Sequence, residues 1–160
     1  MLNEDYRDML QCLHAEGVKF MLVGGYALAA HGYPRSTLDI DLWVMASADN
    51  AVAVVRALKQ FGAPLREVSA SDFETEGTVL QIGVAPRRID ILTKIDGVCF
   101  DDAWPRSVPV DLDGCPIRVI SLEDLLANKR ASGRPKDVAD VATLEDLARK
   151  RGVLPGFACE

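Results

Sequence analysis

The stretch that decides the fold class is LDIDLWVM, residues 38–45. Every second side chain in it is apolar, which is the pattern of a β-strand that packs on a core through one face. The opposite face carries Asp39, Asp41 and Trp43. Trp43 has two interpretations, either as a wall of a ligand site or as a residue packed under a helix. The stretch therefore predicts a half-buried strand that presents two carboxylates.

Segments with helical and strand patterns alternate on both sides of this strand. In chain order they are a helix at 3–16, a strand at 18–23, a short helix at 26–31, a helix between Ser47 and Gly62, strands at 78–84 and 87–95 joined at Ala85-Pro86, strands at 108–112 and 115–120 joined at Asp113-Gly114, a helix from Ser121 to Ala131, and a last helix at 136–150. This order predicts one α/β (α+β) domain over residues 1–150, with a mixed central β-sheet flanked by helices, and a C-terminal tail over 151–160.

Composition restricts the function classes. The chain carries a net charge of −6, so broad electrostatic binding of nucleic acid is excluded, and an RNA partner would need a local basic groove or a metal. No apolar run approaches the length of a bilayer span, and the acidic N-terminus has no secretory signal. The four cysteines form no close pair, which is typical of reduced thiols in a cytosolic protein. A cytoplasmic protein without a membrane segment is expected.

Asp39 and Asp41 are two residues apart, so their side chains lie on one face of the strand, about 7 Å apart. Two ionised carboxylates this close repel each other, and a hard divalent cation such as Mg²⁺ offsets the repulsion. The alternative is an edge strand with a solvated acidic face. Asp90 favours the metal, because it lies between Ile89 and Ile91 in a predicted strand, where aspartate is unfavourable. If the two strands are neighbours, three carboxylates could hold two cations about 4 Å apart for displacement at phosphorus.

Gly24 and Gly25 directly follow the strand at 18–23 and precede the short helix. A glycine turn at this position lets a phosphate approach the backbone, and the amide groups at the start of the next helix attract its negative charge. The pair is not part of a P-loop, because no Gly-Lys-Ser/Thr follows it. An ordinary tight turn is the alternative interpretation.

These features together resemble the signature of the DNA polymerase β nucleotidyltransferase superfamily. Val23-Gly24-Gly25 is followed after thirteen residues by Asp39-Ile40-Asp41-Leu42, and Asp90 matches the later third aspartate of that superfamily. The sequence is most similar to small bacterial nucleotidyltransferases of the AbiEii type, over these stretches: 25–27 (GYA), 35–37 (RST), 39–41 (DID), Lys129, 133–137 (GRPKD) and Asp140. The likeness spans residues 18–140 and implies the polymerase β-like nucleotidyltransferase fold.

The resemblance also implies a role for each matching residue. Asp39, Asp41 and Asp90 would ligate Mg²⁺ or Mn²⁺, and Asp90 would accept the proton of the acceptor hydroxyl. Gly24 and Gly25 would surround the triphosphate. Five further side chains are candidate phosphate or nucleotide contacts, with ordinary loop or surface positions as the alternative: Arg35, Ser36, Thr37, Lys129 and Lys136. Arg87 and Arg88 are interpreted either as partners of local acids or as contacts of the acceptor.

The activity implied by the resemblance is transfer of a nucleoside monophosphate from an NTP, such as ATP, to an acceptor hydroxyl. The acceptor could be an RNA end, a protein or a small molecule such as an antibiotic. Some AbiEii-type proteins are toxins, so an antitoxin protein is an expected partner. Two alternatives stand beside this activity. One is a catalytically inactive relative that binds a nucleotide or a partner, and the other is a D-x-D glycosyltransferase, for which 160 residues is short.

Overall fold

The computed structural model describes residues 2–33, 39–84 and 86–152. Some sequence predictions concern residues outside these ranges: Arg35, Ser36 and Thr37 as nucleotide contacts, Leu38 at the start of the acidic strand, Ala85 at the hairpin turn, and residues 153–160 of the tail. Within the described ranges, helices and strands follow one another as in a mixed α/β domain, which confirms the predicted fold class.

The described residues contain a six-stranded sheet in the order β3-β4-β2-β1-β6-β5. The strands are β1 Phe20–Val23, β2 Ile40–Val44, β3 Val79–Ile82, β4 Ile89–Leu92, β5 Val108–Leu112 and β6 Cys115–Val119. β2 lies antiparallel to β1 and parallel to β4, while β6 lies parallel to β1. The hairpins β3–β4 and β5–β6 are antiparallel. The sheet is therefore mixed, and the acidic strand β2 lies inside it, which rules out the edge-strand interpretation.

The described residues also form six α-helices and two 3₁₀ helices, which lie before, between and after the strands in the chain. They are α1 Glu4–Ala15, α2 Gly24–Ala30, α3 Ala48–Phe61, α4 Phe100–Ala103, α5 Leu122–Ser132 and α6 Pro135–Lys150, with 3₁₀ helices at Ala70–Phe73 and Trp104–Arg106. The sequence pattern does not predict α4 or either 3₁₀ helix, because three or four residues carry too little periodicity. Across residues 2–33, 39–84 and 86–152, no helix is both long and apolar enough to cross a bilayer.

The helix ends follow from local capping chemistry. Ser47 and Ser121 each accept a hydrogen bond from the backbone amide three residues further on, and these bonds start α3 and α5. Gly62 ends α3 in the left-handed conformation, with φ of 92°.

The start of α2 differs from the prediction, and this difference concerns the candidate phosphate site. Because α2 begins at Gly24 instead of Tyr26, the glycine turn forms the first turn of this helix.

Trp43 belongs to the core of the protein. It is 1% exposed, and its ring meets Phe100 of α4 edge-to-face, with 5.0 Å between the ring centroids. Phe100 in turn stacks on Trp104. Of the two interpretations of Trp43, packing under a helix is therefore the one that the structure confirms.

Candidate active site

The three candidate carboxylates are brought together by the pairing of β2 with β4. In this parallel pair Asp41 is the register partner of Asp90. On its other side Asp41 is the partner of Val23, the residue before Gly24. Asp39 stands one residue before β2. The predicted placement of the Asp90 strand beside the acidic strand is confirmed, and the glycine turn lies next to Asp41.

The carboxyl group of Asp41 resists ionisation in this position. Its pKa is raised to about 7, chiefly by burial, then by the negative charge of Asp90 and a hydrogen bond with Asp90. The charge of Asp39 acts in the same direction, and the Arg88 guanidinium acts against it. The cluster therefore carries more negative charge than this one arginine offsets.

Arg88 is the cation in direct contact with the cluster. Its guanidinium lies 2.9 Å from Oδ2 of Asp39, and it donates two hydrogen bonds to Asp90, of 2.9 Å from Nε and 3.2 Å from Nη2. The hydrogen bonds that Arg88 donates to Asp90, together with the negative charge of Asp90, raise the pKa of Arg88. Of the two interpretations of Arg88, pairing with local acids is confirmed.

Position 24 needs a glycine because its backbone adopts a positive φ and lies close to the Asp41 carboxylate. Its φ is 72°, a conformation that only glycine adopts readily. A Cβ at this position would lie 3.1 Å from Cγ of Asp41 and nearer still to its Oδ2. The N-cap residue Val23 provides no side-chain hydrogen bond to the amides of the first helical turn. The turn therefore brings backbone close to the carboxylates and leaves its amides without a side-chain cap.

A cleft of about 330 Å³ opens beside the carboxylates. Asp41 and Asp90 of the sheet lie on one side, and Lys129 of α5 and Arg134, the residue before α6, lie on the other, while Lys94 adds a cation just after β4. The lining residues are Val23, Gly24, Asp41, Asp90, Leu92, Lys94, Ile95, Asp96, Asn128, Lys129, Ser132 and Arg134. Such a cleft offers carboxylates for a metal and cations for phosphates within one volume.

A family model decides the assignment. The model of the nucleotidyl transferase AbiEii toxin of type IV toxin–antitoxin systems matches residues 8–152. The chain belongs to the AbiEii family. This AbiEii protein is thus a nucleotidyltransferase, the class of enzyme that the residues 23–42 and Asp90 predicted.

Solved structures of other nucleotidyltransferases share the fold of this AbiEii protein. A Thermotoga maritima protein described as a nucleotidyltransferase is 22% identical, with a TM-score of 0.57, over 94% of this chain and 97% of that one. The lincosamide antibiotic adenylyltransferase LnuA, in its lincomycin-bound form, is 15% identical, with a TM-score of 0.58, over 92% and 98%. The antibiotic-resistance factor ANT(2'')-Ia is 16% identical, with a TM-score of 0.57, over 92% and 83%. No curated protein sequence matches the chain significantly.

Lys129, a predicted nucleotide contact, lies on the cleft in a buried ion-pair network. Its Nζ is 2.8 Å from Oδ1 of Asp137 and 3.6 Å from Oδ2 of Asp140, so these two aspartates lie on the same face of α6. Asp137 is fully buried and also accepts hydrogen bonds from Ser132 and Arg134. Burial opposes its ionisation, but the hydrogen bonds from Lys129, Ser132 and Arg134 outweigh burial and hold the pKa of Asp137 well below its usual range.

We expect Asp137→Asn to lower the unfolding temperature at pH 7 by about 5–10 °C, because it leaves the buried ammonium group of Lys129 without its closest partner. The folded-state pKa of Asp137 is depressed, so its stabilisation is complete above the unfolded pKa and disappears as the pH falls below it. The gap between wild type and variant should therefore shrink from pH 5 to pH 2. Thermal unfolding followed by circular dichroism across this range measures the gap, and a gap independent of pH would contradict the ion-pair assignment.

Lys136 takes a different place from Lys129. It is exposed in the first turn of α6 and is not among the described residues that line the cleft. Gly25 is half-buried in the first turn of α2, directly after the cleft residue Gly24. The described structure thus brings Gly24, Lys129, Asp41 and Asp90 to one cleft, and Asp39 is not among the described residues that line it.

Several cleft residues escaped the sequence analysis. Lys94 and Asp96 follow β4 by two and four residues, in the segment directly after the strand that carries Asp90. Asn128 precedes Lys129 on α5 and donates a hydrogen bond of 2.9 Å to the carbonyl oxygen of Asp96. Their nearness in sequence to Asp90 and Lys129 could have indicated them, because residues close in sequence to a site residue often reach the same cleft.

Proposed function

We propose that this AbiEii nucleotidyltransferase transfers a nucleoside monophosphate from an NTP to an acceptor hydroxyl and depends on a divalent cation, Mg²⁺ or Mn²⁺. Asp39, Asp41 and Asp90 would hold the cation. The observation that carries the proposal is the register of β2 with β4, which sets Asp41 beside Asp90 at a cleft whose opposite side is basic. Such a pairing of acidic and basic sides suits a metal-bound triphosphate.

The donor set fits a hard divalent cation. Carboxylate oxygens are the ligands that Mg²⁺ and Mn²⁺ prefer, and a cation here would offset the burial and the neighbouring negative charge that raise the pKa of Asp41. Within the described ranges, no three acidic, histidine or cysteine side chains stand ready around a metal. Asp39 and Asp90 instead contact the Arg88 guanidinium, and their side chains would have to turn toward the cation.

The phosphates of the NTP would contact the glycine turn and the basic side of the cleft. Gly24 offers close approach to the backbone amides at the start of α2, where no side chain caps the helix. Lys129 and Arg134 line the cleft on the opposite side. Their charges would stabilise the negative charge that develops on the departing pyrophosphate.

The reaction we propose is an in-line displacement at the α-phosphorus. The acceptor oxygen forms a bond to phosphorus while the bond from phosphorus to the pyrophosphate oxygen breaks, and the carboxylate of Asp90 takes the proton of the acceptor hydroxyl. A bound divalent cation supplies charge stabilisation at the phosphoryl oxygens and orients them. Asp41 and Gly24 would place the metal and the triphosphate next to each other, because the glycine turn lies directly beside the Asp41 carboxylate.

The acceptor is proposed from the family and the shared fold. The family description names a toxin of a type IV toxin–antitoxin system, so we propose an antitoxin protein as a partner. LnuA is named an adenylyltransferase, which makes ATP the first nucleotide to test. An RNA end, a protein hydroxyl and an antibiotic are the acceptor classes to compare.

A labelling assay identifies the acceptor. ATP labelled on its α-phosphate is incubated in parallel with total RNA, with a protein extract and with lincosamides or aminoglycosides. The class of molecule that becomes labelled contains the acceptor.

Nucleotide binding is the first test. We expect a saturating NTP to raise the unfolding temperature by about 5–10 °C in the presence of Mg²⁺ or Mn²⁺, since a ligand at 100 times its Kd adds about 2.7 kcal/mol to stability. The shift should vanish with EDTA. If ATP, GTP, CTP and UTP all fail with either metal, the catalytic proposal is wrong. Binding without transfer to any acceptor class would favour the inactive-relative alternative, although all three carboxylates are retained.

A further inference from the structure

One guanidinium bridges two of the three proposed metal ligands. Arg88 contacts Oδ2 of Asp39 at 2.9 Å and hydrogen-bonds both carboxylate oxygens of Asp90, at 2.9 and 3.2 Å. It thus engages three carboxylate oxygens at once. A planar guanidinium fork matches carboxylates in this way, whereas a lysine ammonium does not.

The backbone fixes this arrangement. Arg88 stands two residues before Asp90, on the same side of the extended chain. Its carbonyl oxygen accepts hydrogen bonds from the amide of Ile40, at 3.1 Å, and from the hydroxyl of Tyr6, at 3.0 Å. The side chain of Arg88 is nevertheless 33% exposed. The arginine is therefore anchored at its backbone while its guanidinium retains a route to solvent.

The guanidinium and a divalent cation require the same oxygen atoms. Magnesium draws carboxylate oxygens to about 2.1 Å, so a metal bound by Asp39 and Asp90 would lie within a few ångströms of the guanidinium. Two cationic groups at such a separation repel each other strongly when they are partly shielded from water. Arginine does not lose its proton in proteins, so Arg88 can give way only by moving.

We propose that Arg88 is an intramolecular competitor of the divalent cation. Without metal it holds Asp39 and Asp90 together, and metal binding requires its side chain to swing toward solvent. This inference rests on the metal dependence proposed above. Arg88 then acts as a positioning residue that stabilises the metal-free fold and weakens metal affinity, and both effects are measurable without catalysis.

The test is calorimetric titration of nucleotide-free protein with Mn²⁺. Arg88→Gln keeps most of the aliphatic stem and removes the charge, and Arg87→Gln is the matched control, because it removes the same charge from an adjacent, exposed position. We expect Arg88→Gln to bind Mn²⁺ about tenfold more tightly than wild type and to unfold at a lower temperature in EDTA. Arg87→Gln should stay within about twofold of wild type, since an exposed charge is screened by solvent.

Arg88→Lys keeps the charge and loses the fork, so its Mn²⁺ affinity should fall between those of wild type and Arg88→Gln. This variant also preserves the test if Arg88→Gln does not fold. Equal tightening by Arg87→Gln and Arg88→Gln, or no tightening by either Arg88 variant, would overturn the competition and leave the proposed function standing. Absence of Mn²⁺ binding in wild type and all variants at millimolar metal would overturn both.

Discussion

Replacing Asp41 by asparagine is expected to abolish nucleotidyl transfer, by about a thousandfold or more, while the nucleotide-free protein becomes more stable. Asp41 stands between Val23 and Asp90 in the sheet, in contact with the glycine turn. It would be the central metal ligand, and an uncharged amide cannot replace a carboxylate toward a hard cation. The transfer rate is measured with labelled NTP on the acceptor class identified first.

The opposite effect on stability follows from the raised pKa of Asp41. The folded-state pKa of about 7 lies above the usual aspartate value of 3.8, so the folded state binds the proton more tightly than the unfolded state. The wild type therefore loses stability as the pH rises from about 4 through 7, and Asp41→Asn does not. The advantage of the variant should grow over this range and level off above it, reaching about 2–6 °C in unfolding temperature with EDTA present.

Asp49→Asn is the matched control for Asp41→Asn, because Asp49 is an exposed carboxylate in the first turn of α3. It should leave the transfer rate unchanged and show no comparable growth of stability with pH. If Asp41→Asn retained transfer within tenfold of wild type, the assignment of Asp41 as a metal ligand would be wrong. If it lost stability at pH 8, the charge deficit inferred for the cluster would be wrong.

The second large effect is expected for Gly24→Ala. The new methyl group meets Cγ and Oδ2 of Asp41, so the carboxylate must move from its present position. A displacement of about 1 Å at a reacting centre costs about a hundredfold in rate, and we expect a loss of that size or more in transfer. The left-handed backbone adds a stability cost of about 1–2 kcal/mol, or about 3–6 °C in unfolding temperature.

Gly17→Ala separates these two causes. Gly17 has φ of 68°, close to the 72° of Gly24, and a Cβ there has nothing within 4 Å. It should reproduce the loss in unfolding temperature and keep the transfer rate. Equal activity losses in both variants would mean that Gly24 acts through backbone conformation alone, and the contact with Asp41 would lose its significance.

Sequence patterns were sufficient for the six strands and for the helices of seven or more residues, and they singled out the three carboxylates as candidates. Alternation gave β2, the Asp113-Gly114 turn gave the β5–β6 hairpin, and an aspartate inside the apolar β4 singled out Asp90. The position of β2 inside the sheet was not available from the pattern. At the C-terminal end of β2 both faces are buried, because α4 brings Phe100 over Trp43. A helix of four residues is too short to show a helical periodicity in the sequence, so this burial was not predictable.

The charge partners were harder to predict than the elements. Arg88 retained two interpretations, since its choice of partner depends on the pairing of β2 with β4, which joins residues far apart in sequence. Lys129 is eight residues from Asp137, and their ion pair depends on the turn that folds α6 back on α5. The periodicity of a sequence predicts single helices and strands, and it does not predict which side chains of different elements come into contact.

The two sides of the cleft come from distant parts of the chain. The carboxylates belong to residues 39–90, and the basic side belongs to residues 128–134, whose lysine is held by α6. A nascent polypeptide that has emerged only as far as β6 has the acidic residues of the site and Lys94, but neither Lys129 nor Arg134. Catalytic competence therefore arrives late in synthesis, after the final helix docks, and fragments from interrupted translation or from cleavage before α5 carry no complete centre.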